Sequence, residues 1–130
     1  MKSKLSTLKK KRWKLTSEYI RRKFADDNGV ARCVTCNTAK HFRELDCGHF
    51  IPKNKGNSIY FVEENLAPQC TYCNRFQSGN LIEYTRYMID MYGIEKVDEL
   101  RELSKTTVKF TQSDHLEAIE ELKEKLEELS

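Results

Sequence analysis

The chain has 130 residues, of which 38% are hydrophobic and 33% charged, and a net charge of +3. This length predicts one domain with a small apolar core and excludes two independent cores. No stretch approaches the roughly 18 consecutive apolar residues of a membrane helix, and the basic N-terminus does not resemble a signal peptide. We therefore expect a cytoplasmic protein with no membrane partner, in which cysteines stay reduced.

The charges are segregated along the sequence. Residues 1–24 contain ten Lys or Arg against one Glu, and residues 111–130 contain seven acids against two Lys. A basic N-terminal segment suits salt-dependent contacts with nucleic-acid phosphates, but it is equally typical of a solvated, partly disordered tail. Residues 1–12 are too charged to pack, and we predict a flexible arm there.

Apolar spacing predicts a first helix over residues 15–24, which ends at the turn-forming residues 26–29. Residues 30–68 contain short apolar runs, including 59–62, that alternate with turn-forming residues. This pattern predicts short strands and loops. Asn80 and Glu83 have the spacing of a capping box, and an apolar face then continues to Gly93. A shorter helix is predicted over residues 95–104.

A last helix is predicted to begin at Ser113 or Asp114. Its apolar residues recur at spacings of three and four, and they are Leu116, Ile119, Leu122, Leu126 and Leu129. This stripe needs a partner, which is either the rest of the chain or the same helix of a second copy. Two heptads are fewer than a coiled coil usually requires, so packing within the chain is favoured and a homodimer through this helix stays open.

Two C-x-x-C pairs, Cys33 with Cys36 and Cys70 with Cys73, are the sharpest chemical signal. Four thiolates suit a closed tetrahedral zinc site that adds folding free energy to a small core. Redox pairs and an iron–sulfur cluster are the alternatives. Cys47 lies outside both pairs, and we predict a small buried residue there; a reactive thiol and a fifth metal ligand are the other interpretations.

The segments around the second pair carry a resemblance. The residues concerned are Asp46-Cys47-Gly48-His49-Phe50, Asn65, the run from Cys70 to Asn74, and Ser78-Gly79-Asn80-Leu81 with Tyr84. A His followed three residues later by Pro, then an Asn, then a polar residue after the second C-x-x-C resembles the HNH, or ββα-metal, nuclease motif. Its His-Asn-Asn form is similar to nucleases of the endonuclease VII type. Over residues 15–130 the chain resembles the phage NinG/Rap recombination nucleases.

This resemblance implies an α+β fold. Its core would be a zinc-stapled ββα-metal unit, treble-clef-like, flanked by N- and C-terminal helices. The expected organisation is a basic arm over 1–12, an HNH-like nuclease domain over 13–110 and an amphipathic helix over 111–130. If the chain is phage-encoded, its compartment would be the cytoplasm of the bacterial host.

Phosphodiester hydrolysis needs a base, a divalent ion and cations that position the strand. His49 is the candidate base, because imidazole is mostly unprotonated at neutral pH. The resemblance implies that Asn65 orients His49 and that Asn74 binds a catalytic Mg²⁺ or Mn²⁺. In most members the residue before the catalytic His also binds the ion, but here it is Gly48.

Asp46 is the predicted replacement ligand, since residues two apart on a strand share a face and Gly48 leaves room for a carboxylate. Three fallback ligands are Glu44, Glu64 and Asn80. The candidate DNA-binding cations are Lys9, Lys10, Lys11, Arg12, Lys14, Lys53, Lys55 and Arg75. Trp13, Tyr60 and Phe76 are predicted to pack in the core in preference to stacking on bases.

Together these features predict a Mg²⁺-dependent DNA endonuclease acting on branched recombination intermediates such as Holliday junctions or D-loops. The alternative is a non-catalytic zinc module that binds nucleic acid or a protein through its basic arm. Gly48 and the shortage of carboxylates near His49 favour this alternative.

Overall fold

The structure, a computed structural model, describes residues 4–130 and has the mixed α+β composition that was predicted. The helices in this range are α1 (Lys4–Lys23), α2 (Asn57–Tyr60), α3 (Leu81–Tyr92), α4 (Ile94–Ser104) and α5 (Gln112–Glu128). The strands are β1 (Val30–Arg32), β2 (Ala39–His41), β3 (Asp46–His49) and β4 (Leu66–Gln69).

The strands form two separate antiparallel pairs. In the first, β1 pairs with β2, and in the second, β3 pairs with β4 so that Asp46 lies opposite Gln69 and His49 opposite Leu66. The connection between β3 and β4 contains α2, which corrects the prediction of a strand over the apolar run 59–62. A π-helical turn, Tyr72–Phe76, leads from β4 towards α3.

Helix α1 begins eleven residues earlier than predicted. The flexible-arm prediction is wrong for residues 4–12, which are helical, whereas residues 1–3 lie outside the described part of the chain. Leu8 is buried on this extension, and α1 packs along α5. A basic helix therefore finds an acidic partner helix, a long-range pairing that local composition does not reveal.

The apolar stripe of α5 packs within the chain. Ile119, Leu122 and Leu126 are buried where α5 lies on α1, while Leu116 and Leu129 are exposed. The stripe therefore does not call for a second copy. Helix α5 begins two residues before the predicted position, at an N-cap formed by Thr111.

The N-cap of α5 is a capping box. Thr111 Oγ1 accepts from the Asp114 amide, and the Asp114 carboxylate accepts from the Thr111 amide. The capping box predicted at Asn80 is wrong: Asn80 has left-handed backbone angles and no capping hydrogen bond. Its Nδ2 instead lies 3.5 Å from Cys73 Sγ, so the residue faces the cysteine cluster.

The apolar core consists of three small clusters that meet at Phe24. One joins β3 and β4 to α3 and α4, the second surrounds the paired cysteines, and the third lies beneath α1. Tyr84 on α3 is fully buried, and its hydroxyl donates to the Gly48 carbonyl at 2.9 Å. This bond fixes α3 against β3. Within residues 4–130, no helix is long and apolar enough to span a bilayer.

Candidate functional site

The four paired cysteines come together in one cluster. Their sulfur atoms all lie within 4.8 Å of one another, and the Sγ atoms of Cys36 and Cys70 are 3.7 Å apart. Zinc–sulfur bonds of about 2.3 Å in a tetrahedron separate the sulfurs by about 3.8 Å. The cluster therefore fits a zinc ion, and these four residues can hold it.

Two loops and a turn build this cluster. Cys33 and Cys36 lie in the connection between β1 and β2, Cys70 directly follows β4, and Cys73 lies in the π-helical turn. Thr35 Oγ1 lies 3.2 Å from Cys33 Sγ, and a hydroxyl there can donate to a thiolate. Hydrogen bonds of this kind orient metal ligands and stabilise their charged form.

Burial, partly offset by a hydrogen bond from the Cys73 amide, raises the pKa of Cys70 to about 12. Without an ion this thiol is therefore protonated at neutral pH. A bound zinc ion needs thiolates, so it would displace the proton from this position.

An open cavity of about 740 Å³ lies beside the cluster, where β3, α1 and the π-helical turn meet. It brings together five of the predicted site residues, which are Asp46, His49, Lys53, Asn74 and Arg75. Asn65 and Lys55 do not line it. The cavity also gathers four residues that sequence reasoning did not select, namely Trp13, Ser17, Arg21 and Arg43.

His49 is held by three contacts at the cavity wall. Its Nε2 lies 3.0 Å from the carbonyl oxygen of Tyr60, and Trp13 stacks on the imidazole with ring centroids 4.9 Å apart. The Tyr60 ring meets the imidazole edge-on at 5.2 Å. Because a carbonyl can only accept a hydrogen bond, Nε2 carries the proton, and Nδ1 has the free lone pair.

Burial lowers the pKa of His49 to about 4, assisted by the charge of Lys53 and opposed by the hydrogen bond to the Tyr60 carbonyl. The imidazole is therefore neutral at pH 7. A neutral ring with a free Nδ1 can accept a proton from a bound molecule.

Asn65 is fully buried and ties the β3–β4 connection together. Its Oδ1 accepts from the Ile51 amide at 2.8 Å, and its Nδ2 donates to the carbonyls of Ile51 at 3.0 Å and Ile59 at 3.3 Å. Ile59 precedes Tyr60, whose carbonyl orients His49. The contacts of Asn65 thus reach His49 through the backbone of this loop.

Asp46 and Asn74 lie side by side in the lining of the cavity. Asn74 Nδ2 donates to Asp46 Oδ2 at 3.0 Å, and Arg75 Nε donates to the same oxygen at 3.1 Å. One carboxylate and one amide therefore face the same space, and Arg75 balances the carboxylate charge. The Arg75 side chain is 68% exposed, so this ion pair is weakly held.

The reason given for Asp46 as a replacement ligand is wrong in one respect. A Cβ atom at Gly48 would collide with the side chain of Gln69, so the space beside Gly48 is filled. Gln69 is fully buried, and its Nε2 donates to the Gly79 carbonyl at 2.8 Å and to Thr35 Oγ1 at 3.2 Å. Gly48 is thus required by Gln69 packing, and Asp46 reaches the cavity independently.

The three fallback metal ligands lie outside the cavity. Glu44 is exposed, Glu64 pairs with Lys96 at 3.7 Å, and Asn80 faces Cys73. None of them is placed to share an ion with Asp46 and Asn74.

Among the predicted DNA-binding cations on α1, Lys9 and Arg12 contact distant parts of the chain. Lys9 Nζ donates to Asn57 Oδ1 at 2.9 Å. The Arg12 guanidinium lies 3.9 Å from the Phe61 ring centre and 4.6 Å from that of Phe110. Arg12 therefore links α1 to these aromatic rings. Three further predicted cations on α1 are exposed, namely Lys10, Lys11 and Lys14.

The prediction of core packing for three aromatic residues holds in part. Trp13 and Tyr60 are partly buried around His49, whereas Phe76 is 74% exposed, which contradicts core packing for that residue. Cys47 is buried as predicted, and burial raises its pKa to about 12, as expected for an inert thiol.

The α1 residues that line the cavity were not predicted as site residues, but their spacing in the sequence is regular. Trp13, Ser17 and Arg21 are spaced by four residues and so share one helical face. Their spacing identifies the face but not the surface that it meets. Gln69 has no comparable signal, since its role depends on Gly48 and Thr35.

Comparison with known proteins places the chain in a family. The family described as Bacteriophage Lambda NinG protein matches residues 1–130. Curated proteins named Protein ninG from Salmonella phage P22 and Escherichia phage lambda are each 35% identical over 68 residues, and that from Enterobacteria phage H19B is 34% identical. Each match covers 52% of this chain and 33% of the relative, so it spans one third of those proteins. No solved structure matches significantly. The chain belongs to the NinG family.

Proposed function

We propose that this chain is an HNH-type DNA endonuclease, dependent on Mg²⁺ or Mn²⁺, that hydrolyses phosphodiester bonds in branched recombination intermediates such as Holliday junctions or D-loops. One observation carries the proposal. A single cavity gathers a neutral histidine, a carboxylate beside an amide, and a rim of cations. These are the three kinds of group that phosphodiester hydrolysis requires.

His49 acts as the general base. Its Nε2 proton is engaged by the Tyr60 carbonyl, so Nδ1 accepts the proton of the attacking water. Trp13 limits rotation of the ring by stacking on it. General-base catalysis contributes about 10²–10⁴-fold to a rate. Asn65 is a positioning residue, which acts through the loop that presents the Tyr60 carbonyl.

Asp46 and Asn74 would hold the divalent ion, as oxygen ligands suited to Mg²⁺, which is usually bound by one or two carboxylates together with waters. When bound, the ion neutralises charge that develops on the phosphate. Asp46 becomes free to bind it when Arg75 releases the carboxylate. Arg75 can then contact a DNA phosphate, because it lies on the cavity rim.

Arg21, Arg43 and Lys53 surround the same cavity and would bind phosphates of the strand. Contacts of this type position the backbone without reading bases, so DNA shape would govern the choice of target. The exposed Lys11 and Lys14 would extend this track along α1. The preference for branched DNA rests on the resemblance of residues 46–50 and 78–81 to recombination nucleases.

The order of elements supports a ββα-metal core. Strands β3 and β4 are followed by the π-helical turn and α3, and the proposed ligands Asp46 and Asn74 come from the first strand and the turn. The hydrogen bond from Tyr84 to Gly48 holds α3 against this hairpin. The cysteine cluster would then support the core as a structural zinc site.

A second candidate, a non-catalytic zinc module that binds nucleic acid, is favoured by two observations. The ligand position before His49 is closed by Gln69, and Arg75 neutralises the carboxylate that remains. In this case the cavity would bind phosphates without hydrolysing them.

Cutting assays distinguish the two candidates. Purified protein is incubated with a four-way junction and with a linear duplex, with and without added Mg²⁺, beside His49→Ala. We expect Mg²⁺-dependent cutting of the junction that falls at least a hundredfold in the variant while DNA binding is kept. His41→Ala is the matched control, because His41 does not line the cavity. Binding without cutting in every protein would instead support the non-catalytic module.

A homodimer remains a prediction. The buried stripe of α5 is already used within the chain, so a dimer would need another surface. Mass measurement in solution, with and without junction DNA, tests it.

A further inference from the structure

Two large aromatic side chains are exposed on the π-helical turn. Tyr72 is 62% exposed and Phe76 is 74% exposed, and their ring centroids lie 6.5 Å apart with 28° between the planes. Exposure leaves most of the apolar area of both rings in water, which forgoes the stabilisation that burial provides. The packing of this chain therefore does not explain the pair.

The pair is held in a defined orientation. Gln77 Nε2 donates to the Tyr72 hydroxyl at 2.8 Å, which restrains the ring from its far end. Cys73 lies between the two aromatics in sequence, so the cysteine cluster anchors the turn that carries them. A stacking surface built on an anchored turn loses little conformational entropy when it binds a ligand.

The same turn forms one side of the cavity. Asn74 and Arg75 line the cavity, whereas Tyr72 and Phe76 do not. The aromatic pair is therefore set directly beside the proposed site and outside it. Arg75, between the two rings in sequence, is 68% exposed and forms an ion pair with Asp46.

We propose that Tyr72 and Phe76 form a stacking platform for unpaired nucleobases of single-stranded DNA. This proposal rests on the proposed function, which identifies DNA as the polymer that is bound. Phosphates would bind the cavity cations Arg21, Arg43 and Lys53, and the next bases along the strand would stack on the exposed rings. A nucleobase suits this surface better than a protein segment does, because a cationic rim beside flat aromatic faces complements a phosphate chain that carries bases.

The platform would also select for substrate structure. In a duplex the base faces are covered by neighbouring pairs, whereas an unpaired strand or a branch point exposes them. Stacking on an aromatic ring is tolerant of sequence, because every base has a π face. The platform would therefore bind unpaired DNA more tightly than duplex DNA, without a preference for particular bases.

The test compares Tyr72→Leu/Phe76→Leu with the wild type in the absence of added Mg²⁺, so that nothing is cut. Leucine keeps an exposed apolar side chain but has no π face. Fluorescence anisotropy measures affinity for a single-stranded oligonucleotide and for a duplex, and 2-aminopurine in the single strand reports stacking through quenching. We expect single-strand affinity to fall at least tenfold, with loss of quenching, while duplex affinity changes less than twofold.

Two controls accompany this pair. Met91→Ala/Ile94→Ala removes exposed apolar side chains that do not line the cavity, and its single-strand affinity should match the wild type. Phe76→Trp keeps a π face and should keep quenching. Zinc content and melting temperature, measured for each variant, show that the turn is intact.

The proposal would be overturned if Tyr72→Leu/Phe76→Leu bound single-stranded DNA as tightly as the wild type does. It would also be overturned if the variant lost as much affinity for the duplex as for the single strand. Loss of a dimer in solution without a change in DNA binding would overturn it too, because the pair would then be a protein interface. Since no step depends on hydrolysis, a wild type that binds but never cuts would contradict the proposed function alone.

Discussion

The cysteine cluster and the neighbouring cavity are built in different ways. The cluster uses four side chains of one type, in two pairs separated by two residues, and any ion that they bind is enclosed by the ligands themselves. The cavity uses side chains of different types from α1, β3 and the π-helical turn. A metal can draw its ligands together, whereas the cavity depends on hydrogen bonds and stacking around it. The two regions should therefore respond differently to single substitutions.

The largest effect is expected from the cluster. Cys70→Ala leaves three of the four sulfur ligands. Binding of structural zinc contributes about 10–16 kcal/mol, which is as large as the whole stability of a typical domain, about 5–15 kcal/mol. We expect the variant to lose its cooperative thermal transition, followed by circular dichroism. Verified zinc removal from the wild type should do the same, and added zinc should restore it.

Cys47→Ala is the matched control, because Cys47 is buried but outside the cluster. It should keep one zinc per chain and a cooperative transition. A wild type whose melting temperature is unchanged after metal removal would contradict the structural role of the cluster.

A smaller effect is expected at Asn65. Asn65→Ala leaves the Ile51 amide and the Ile51 and Ile59 carbonyls without their partner, and unpaired buried groups cost about 1–3 kcal/mol each. We expect the free energy of unfolding to fall by about 3 kcal/mol in urea titrations, with zinc retained. Asn57→Ala, which removes only the contact with Lys9, should cost less than about 1 kcal/mol. Equal losses in the two variants would show that Asn65 does not hold the loop.

Gly48→Ala tests the packing of Gln69 against β3. The new methyl group meets a fully buried side chain, and overpacking of this kind costs about 1–3 kcal/mol. Urea unfolding measures this loss. Gln69→Ala in the same chain should recover part of it, because the obstruction is removed. Additive losses in the double variant would exclude this steric explanation.

A last prediction concerns the charge of His49 and is followed by fluorescence. Because its pKa is lowered to about 4 in the folded chain, its contribution to stability is complete above pH 6.5 and is lost as pH falls from 6.5 to 4. Trp13, the single tryptophan, stacks on His49, so its emission should change with a midpoint near pH 4. His49→Gln should abolish this change.

His115 serves as an internal check on that titration. The pKa of His115 is also lowered, by burial and then by the charges of Arg12 and Lys9. His115 is present in the wild type and in His49→Gln, so it titrates in both. The pH-dependent change in Trp13 emission that the wild type shows and His49→Gln does not is therefore caused by the titration of His49. A midpoint near 6.5 in the wild type would show that His49 is not buried beneath Trp13.

The features predictable from sequence were those encoded by short spacings. The two C-x-x-C pairs predicted the cluster, the helical pattern from Leu81 onward predicted α3, and Gly93 predicted its end. Family resemblance selected His49 and Asn74, strand alternation selected Asp46, and the structure places all three on one cavity. Whether they act as predicted is a question for the cutting assay.

Two of the misses share one cause, which is distance along the chain. Residues 4–12 looked too charged to be ordered because their acidic partner, α5, lies a hundred residues away. The space beside Gly48 seemed open because Gln69 is twenty-one positions later. A third miss has another cause: Phe76 was predicted to be buried because apolar residues usually are, but it is exposed on the π-helical turn.

The sequence by itself determined the four cysteines that cluster, the main helical segments and the charge separation between the two ends. These follow from local spacing and composition, which act between near neighbours. Only the tertiary structure decided that the basic end is a helix on α5, that Trp13 and Tyr60 surround His49, and that two aromatic rings stand exposed beside the cavity. These outcomes depend on which surfaces meet after folding, and no local pattern encodes that.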